Sequence, residues 1–348
     1  MSRRGVDVGV VPPPPAPWGA APGTVSFIAQ EERRPGPRWR SWFDRHAPSY
    51  RAWYLKDGEA ARPGLDTCRR MLARHMPELV PVHERLVELA GGDELDARML
   101  SLYNPPAFIT GCSQVAWTRG SPALARNYDY PPSRLEGLLL LTQWGGRRVI
   151  GMSDCLWGLV DGMNDAGLAA SLTFGGSAAV GDGFAIPLVL RYLLEVCDTV
   201  EDACEILARV PIHTAQNVTL VDRSGDFMTA YLAPDQPARF HRTPITTNHQ
   251  ETVEWPEYAR AVRSVERQEF LTRLVADPGL TVDGLLAALL APPLYAPSHL
   301  TGSGTLYTAA YFPAEGRMEL RWPGDRWTES FDSFQALEHT ETYARQAA

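Results

Sequence analysis

Residues Gly111–Tyr130 read GCSQVAWTRGSPALARNYDY, and the pattern of this stretch decides the fold. CSQVAWT and PALARNYDY alternate as strands do, and the RGS between them is a hairpin signal. The segment before Gly111 is of another kind, proline-rich and helix-prone. A chain of 348 residues therefore changes character at the Gly111–Cys112 bond.

Downstream, LEGLLLLTQW and RRVIGMSD flank Gly145-Gly146, a two-residue turn suited to positive φ. GLVDGMNDAGLAASLTF is strand, turn, strand, with NDAG at the tip, so Cys112 to Phe174 is a run of antiparallel strands. Helices follow. Ile186, Leu190, Leu193, Leu194 and Cys197 share one helical face, and Thr199 reads as the N-cap of a second helix carrying Ala203, Ile206, Leu207 and Val210. NVTLVDRSGDFMTAYL is a hairpin turning at Ser224-Gly225. EYARAVRSVERQEFLTRLVAD and TVDGLLAALLA are helices, and GTLYTAAYF and RMELRW form a last hairpin around PAEG. Strands grouped between helix pairs predict an α+β fold, with antiparallel sheets covered by helices. Upstream, Leu79, Val82, Leu86 and Leu89 recur at helical spacing before a stop at Gly91-Gly92. Residues 1–40, rich in Pro, Gly and Arg, read as a mobile arm. The expected divisions are this arm, a helical segment 41–111 and a main domain 112–348.

The composition, 45% hydrophobic and 21% charged, is that of a folded chain with a sizeable core. A net charge of -8 and the lack of a basic block argue against nucleic acid or an anionic membrane as partner. The five cysteines form no metal or redox spacing, which favours a reducing compartment. The N-terminus is broken by Asp7 and four prolines in a row and does not read as a signal peptide. No apolar run is long enough to span a bilayer, and the cytoplasm is the expected location. No Gly-rich phosphate loop, H-E-x-x-H or C-x-x-C is present, so no cofactor and no metal are expected.

Taken singly, the chemical groups are weak signals. A lone Cys112 is more often a buried structural cysteine. Arg126 and Asp129 lie three apart on a strand, which places them on opposite faces unless a bulge intervenes. They form either an edge salt bridge or a cation and a carboxylate near the sulfur, and a cation there favours the nucleophilic thiolate. Asn248, in TTNHQ, has an amide donor of the type that stabilises an oxyanion. Arg267, in SVERQ, reads on its own as a solvated surface charge.

Together, and in this order, the pieces resemble the cysteine branch of the N-terminal-nucleophile hydrolases. That branch includes bile salt hydrolases, penicillin V acylases and the penicillin acyltransferase-like peptidases. The matching pieces are GCS at 111–113, ARNYDY at 125–130, DGMNDAGLAASLTFGG at 161–176, TNHQ at 247–250 and SVERQ at 264–268. The resemblance spans about residues 75 to 325 and implies a four-layer αββα sandwich of two antiparallel sheets. It implies Cys112 as nucleophile, with Arg126 and Asp129 beside it. Asn248 becomes the side-chain half of the oxyanion hole, and Arg267 the arginine that closes the site. A second oxyanion donor is implied from the backbone near Thr173 or Phe174. Here the chain reads SLTFGG where bile salt hydrolases carry an asparagine, which argues against bile salts as substrate. His249 receives at most a secondary contact.

An N-terminal α-amine, with a pKa of about 7.7–8.0, can act as base toward its own side chain. An internal cysteine has no such amine, so the resemblance implies a cut between Gly111 and Cys112. Residues 1–111 are then a pro-segment that stays packed on the core or leaves it. The expected partners are a small N-acyl amide, or an acyl donor with an amine acceptor. Two alternatives stand beside this reading. One is an uncleaved binding protein on the same fold. The other is a papain-like protease pairing Cys112 with His213 or His249, which requires a helix at the cysteine where SQVAWT alternates like a strand.

Overall fold

The computed structural model describes residues 4–5, 24–108, 111–296 and 304–343. Two sheets pack face to face. The six-stranded sheet runs in the order Ile245–Thr246, Gly111–Trp117, Ala123–Tyr130, Gly304–Phe312, Arg317–Trp322, Asp325–Ser330. The nine-stranded sheet runs Arg239–His241, Phe227–Leu232, Gln216–Asp222, Leu168–Phe174, Gly158–Asn164, Val149–Asp154, Leu138–Thr142, Thr24–Glu32, Glu338–Thr342. Polar side chains bridge the seam between them: Arg126 to Asp161, Thr173 to the Thr247 carbonyl, and Thr219 to Thr246. Helices Ile186–Val196 and Val200–Leu207 cover the nine-stranded sheet, while Ser264–Val275 and Val282–Leu289 cover the other. The result is the four-layer αββα sandwich.

Local chemistry accounts for most of these elements. The hairpins turn at glycines in the left-handed region, Gly146, Gly167, Gly225 and Gly316, where a side chain would be strained. Thr199 caps its helix through a full capping box with Asp202, satisfying two otherwise orphaned N–H groups. The helix Ile186–Val196 lies close on the sheet at Gly162, where a Cβ would come within 3.0 Å of Leu194 and 2.8 Å of the Ile150 carbonyl. Among the described residues, no helix is long and apolar enough to cross a membrane.

Four expectations need correction. Residues 24–40 are not a mobile arm: Thr24–Glu32 is a strand with alternating burial, and Pro37–Tyr54 is a helix. The remainder of the proposed arm, residues 1–3 and 6–23, lies outside the described residues. The large sheet is not purely antiparallel, because Thr24–Glu32 pairs parallel with Leu138–Thr142. The last hairpin is followed by two further strands, Asp325–Ser330 and Glu338–Thr342, and the second of these pairs with Thr24–Glu32. The stretch from Glu257 to Asp277 is two helices rather than one, Pro256–Ala261 and Ser264–Val275, broken where Arg263 adopts φ 53.

The N-terminal segment is helical, with Pro37–Tyr54, Leu65–His75, Val80–Ala90 and Glu94–Leu100. Its first helix is clamped to the large sheet by a buried acidic cluster. Tyr50 Oη hydrogen-bonds both Glu136 and Asp154, the latter at 3.2 Å. Glu136 also accepts from Ser153 Oγ at 3.1 Å and the Leu156 N–H at 2.8 Å. Asp154 also accepts from the Cys155 N–H at 2.7 Å and Tyr128 Oη at 3.4 Å. A phenol has one proton to offer two carboxyls, and two buried carboxylates this close repel each other, which favours a proton on one of them. Burial, reinforced by Glu136, pushes the Asp154 carboxyl up to about 7. A carboxyl raised in the folded state stabilises the fold at low pH and loses that contribution as pH rises through its folded value. Asp154→Asn mimics the protonated form. Its melting temperature relative to the parent should therefore rise as pH increases from about 4 to about 7. A difference that stays flat over this range, followed by circular dichroism, would show that the pair holds no extra proton.

Candidate active site

Cys112 is the second residue of the strand Gly111–Trp117 and lies opposite Tyr128 on the neighbouring strand. Its register places Gln114 opposite Arg126 and Gly111 opposite Asp129. Period-two alternation then sends Arg126 into the seam between the sheets and Asp129 to the other face, as the odd spacing required. Cys112 is fully buried.

In the seam, Arg126 Nη2 lies 2.8 Å from Cys112 Sγ. Its Nη1 donates to the Val160 carbonyl at 2.7 Å and to Asp161 Oδ2 at 3.0 Å. The guanidinium also sits 4.9 Å from the Tyr128 ring centroid. Burial works against the Arg126 charge, but Cys112 and Asp161 more than offset it and hold the group above its usual range.

On the opposite face, the Cys112 N–H donates to Asn248 Oδ1 at 2.9 Å. Arg267 bridges three groups: Nη1 donates to the Cys112 carbonyl at 2.5 Å and to Ser113 Oγ at 2.7 Å, and Nη2 to Asn248 Oδ1 at 2.8 Å. Asp129 Oδ2 is 3.7 Å from Arg267 Nη1, and its Oδ1 accepts from Thr305 Oγ1 at 2.7 Å. Burial pushes the Asp129 carboxyl up, while Arg267, the Thr305 hydroxyl and Arg126 pull it back.

The break at Arg263 is what delivers Arg267. It starts the helix afresh at Ser264, whose Oγ accepts from the Asn248 N–H at 2.8 Å, and Arg267 stands one turn further on. Gly176, at φ +72, lets the Asn248 backbone lie against the end of strand Leu168–Phe174, since a Cβ there would come 2.4 Å from the Asn248 carbonyl. Asn248 Nδ2 reaches the Phe174 carbonyl at 3.3 Å. Thr173 touches this group indirectly, through Thr247.

The geometry thus brings Cys112, Arg126, Asp129, Asn248 and Arg267 together, with Phe174 beside Asn248. Sequence reasoning missed Asp161, although it lies inside the quoted DGMN, and Ser264, although it opens SVERQ. The available signal for Asp161 was an acid in the middle of the strand-like GLVDGMN. The two candidate histidines have other partners. His213 Nδ1 is 2.7 Å from the Gly181 carbonyl, and burial pushes its ring down to about 4. His249 Nδ1 is 2.7 Å from Ser264 Oγ, and burial, followed by the Arg267 charge, lowers its ring. With Cys112 on a strand, the papain-like alternative falls. A ring wall of Phe174, Tyr258 and Trp255, with successive centroids 5.2 and 5.3 Å apart, stands beside the site.

One group among the described residues could hold a cation: Asp325, His339 and Glu341, with ligand atoms within 4.8 Å of one another. They sit on the edge strands of the two sheets, and His339 faces Glu341 at 3.3 Å and Asp325 at 3.8 Å. The arrangement reads as an ion-pair cluster.

A four-layer sandwich with a cysteine at the head of a central strand is the architecture of the N-terminal-nucleophile hydrolases, enzymes of acyl chemistry on amides. The profile of the acyl-coenzyme A:6-aminopenicillanic acid acyl-transferase family matches residues 117–327. This is more than half of the chain, and the chain belongs to that family. No curated protein sequence matches it. Solved structures similar to it include a mutant of the conjugated bile acid hydrolase from Clostridium perfringens. That match has TM-score 0.49 and 12% identity, covering 67% of this chain and 97% of that one. Penicillin V acylase from Agrobacterium tumefaciens matches at TM-score 0.45 and 16% identity, covering 64% and 86%. An ortholog of N-acylethanolamine-hydrolyzing acid amidase from Caenorhabditis elegans matches at 0.44 and 14%, covering 66% and 99%.

Proposed function

We propose that the protein is an autoproteolytic cysteine amidohydrolase or acyltransferase that acts on linear amide C–N bonds through an acyl-thioester on Cys112. The observation that carries this reading is the two-sided hold on Cys112, with Arg126 Nη2 2.8 Å from Sγ and Asn248 Oδ1 2.9 Å from the backbone nitrogen. The first hold stabilises the thiolate once the proton has left. The second sits where the α-amine of a mature N-terminal cysteine would need orienting.

Maturation and turnover use the same atoms. Sγ attacks the Gly111 carbonyl carbon, the C–N bond to Cys112 breaks, and the released nitrogen takes up a proton. Water then hydrolyses the Gly111 thioester, leaving a Gly111 carboxylate, a free thiol and a free Cys112 α-amine. In turnover that amine accepts the thiol proton, and the thiolate attacks the substrate carbonyl. The leaving amine departs with a proton, and the acyl-thioester passes to water or to an acceptor amine. Asn248 Nδ2 and a backbone N–H near Thr173 or Phe174 are the proposed oxyanion donors. Asp129 and Arg267 orient the Cys112 backbone, and the wall of Phe174, Tyr258 and Trp255 suits an apolar acyl group.

Intact mass spectrometry tests this proposal, with the protein exposed to N-acyl amides and, separately, to acyl-coenzyme A thioesters with an amine acceptor. An acyl mass on the Cys112 fragment supports the proposal. A protein that neither splits nor acylates would leave the uncleaved binding protein as the better reading.

The cleavage bond carries its own prediction. A Cβ on Gly111 would lie 3.1 Å from Asp129 Cβ, so Gly111→Val must displace the site's own aspartate. A β-branched side chain there also crowds the carbonyl that Sγ must attack, so cleavage of the valine variant, followed on denaturing gels, should be slower than that of the parent. Parental speed would show that approach to the Gly111 carbonyl does not limit the cut.

A further inference from the structure

The buried Asp161 carboxylate has no part in the steps above, yet it occupies the far side of the guanidinium that touches the nucleophile. Its two oxygens receive three donors: Arg126 Nη1 at 3.0 Å, Tyr307 Oη at 2.8 Å, and Tyr311 Oη. Asp161 and both tyrosines are fully buried. Burial, and next the Asp161 charge, push both phenols well above their usual range, so they remain donors. The Arg126 cation and the two phenol donors all favour the carboxylate over the acid, although burial alone pushes the carboxyl up.

We propose that Asp161 is a positioning and charge-balancing residue for the nucleophile, aiming Arg126 at the Cys112 sulfur while neutralising part of its charge. This rests on the reading of Cys112 as nucleophile and deepens it. An Arg126 cation shared with Asp161 leaves the neutral thiol as the balanced resting form. Thiolate then makes two anions for one buried cation, which costs more than a single pair. Tyr307 and Tyr311 damp the Asp161 charge and so set how far Arg126 is neutralised. The other groups around Cys112 are Tyr128, opposite it on the neighbouring strand, Asn248 and Arg267 on its backbone, and Tyr258, within electrostatic reach of Cys112, Arg267 and Asp129. None of these hydrogen-bonds Asp161 in the contacts described above, and Tyr307, which also packs on Tyr128 with ring centroids 5.4 Å apart, keeps that ring contact in Tyr307→Phe, so the two substitutions act mainly through the Asp161 charge on Arg126.

The two substitutions should move the thiol in opposite directions. Asp161→Asn removes the competing anion, and the Cys112 titration midpoint should fall by about one pH unit or more. Tyr307→Phe removes a hydrogen bond that damps the anion, and the midpoint should rise. The measurement is the 13Cβ shift of Cys112 against pH in the full chain labelled with 13C-cysteine. The signal is assigned by its loss in Cys112→Ala, and each variant is compared with the parent in the same cleavage state. Opposite shifts support the proposal. Shifts of the same sign, or no shift in Tyr307→Phe, would overturn it, because a purely structural role has no reason to reverse sign between the two. Should Asp161→Asn fail to fold by circular dichroism, Tyr307→Phe alone decides: a rise supports the proposal, and anything else defeats it. The readout needs no turnover. Opposite shifts with no acylation of Cys112 would keep the charge balance and sink the acyl-transfer reading, and acylation without them would do the reverse.

Discussion

Cys112→Ala should remain a single chain of 38.4 kDa and show no acyl adduct with any donor, whereas the parent splits in two. Scaling the mass by 111 and 237 of 348 residues gives pieces of roughly 12 and 26 kDa. The effect is all-or-none because one sulfur performs both reactions: it attacks the Gly111 carbonyl, and it later carries the acyl group. Cleavage should be independent of protein concentration, since Cys112 and Gly111 are chain neighbours. The two pieces should co-migrate on a native gel. Thr24–Glu32 lies inside the nine-stranded sheet, between Leu138–Thr142 and Glu338–Thr342, and removing it would expose two strand edges and the buried faces of Trp39, Phe43, Tyr50 and Trp53. Cys112→Ser should cut slowly, a hydroxyl being the poorer nucleophile near neutral pH. N-terminal sequencing of active protein decides the matter. An active, uncut chain would leave Cys112 without its amine base, and the mechanism would fall.

Asn248→Ala should lower turnover by roughly 10²–10³-fold, the range for losing one oxyanion donor. The side chain is fully buried, and Oδ1 is fixed by two donors, the Cys112 N–H and Arg267 Nη2. With the oxygen so fixed, Nδ2 must point the other way, toward the end of strand Leu168–Phe174. There its 3.3 Å bond to the Phe174 carbonyl is long and is the bond an oxyanion could take over. Alanine removes that donor and also leaves Arg267 one acceptor short. The loss should fall on kcat, because the donor matters most once charge has developed on the carbonyl oxygen. Steady-state rates on the best amide found by mass spectrometry check this. A loss smaller than about tenfold would assign the oxyanion to backbone donors alone.

Hairpins and caps were legible in the sequence because their causes are local. Alternation over Cys112–Trp117 and Ala123–Tyr130 marks strands, Gly146, Gly167 and Gly225 mark turns, and Thr199 with Asp202 marks a helix start. The opposite facing of Arg126 and Asp129 followed from period two alone. Arg267 could be named only by resemblance, since the helix break that aims it depends on a left-handed Arg263 that no propensity favours.

The sequence by itself therefore determined the element types, the order that makes an α+β sandwich, and the placement of Cys112 at the head of a strand. The tertiary structure decided which buried face meets which. It set the parallel insertion of Thr24–Glu32 next to Leu138–Thr142, the Tyr50–Glu136–Asp154 cluster beneath the first helix, and the Asp161–Arg126–Cys112 line with its two tyrosines. Periodicity reports that a face is covered but carries no record of the partner. Tyr311 meets Asp161 across 150 positions of chain, and only closure of the two sheets on each other brings such groups together.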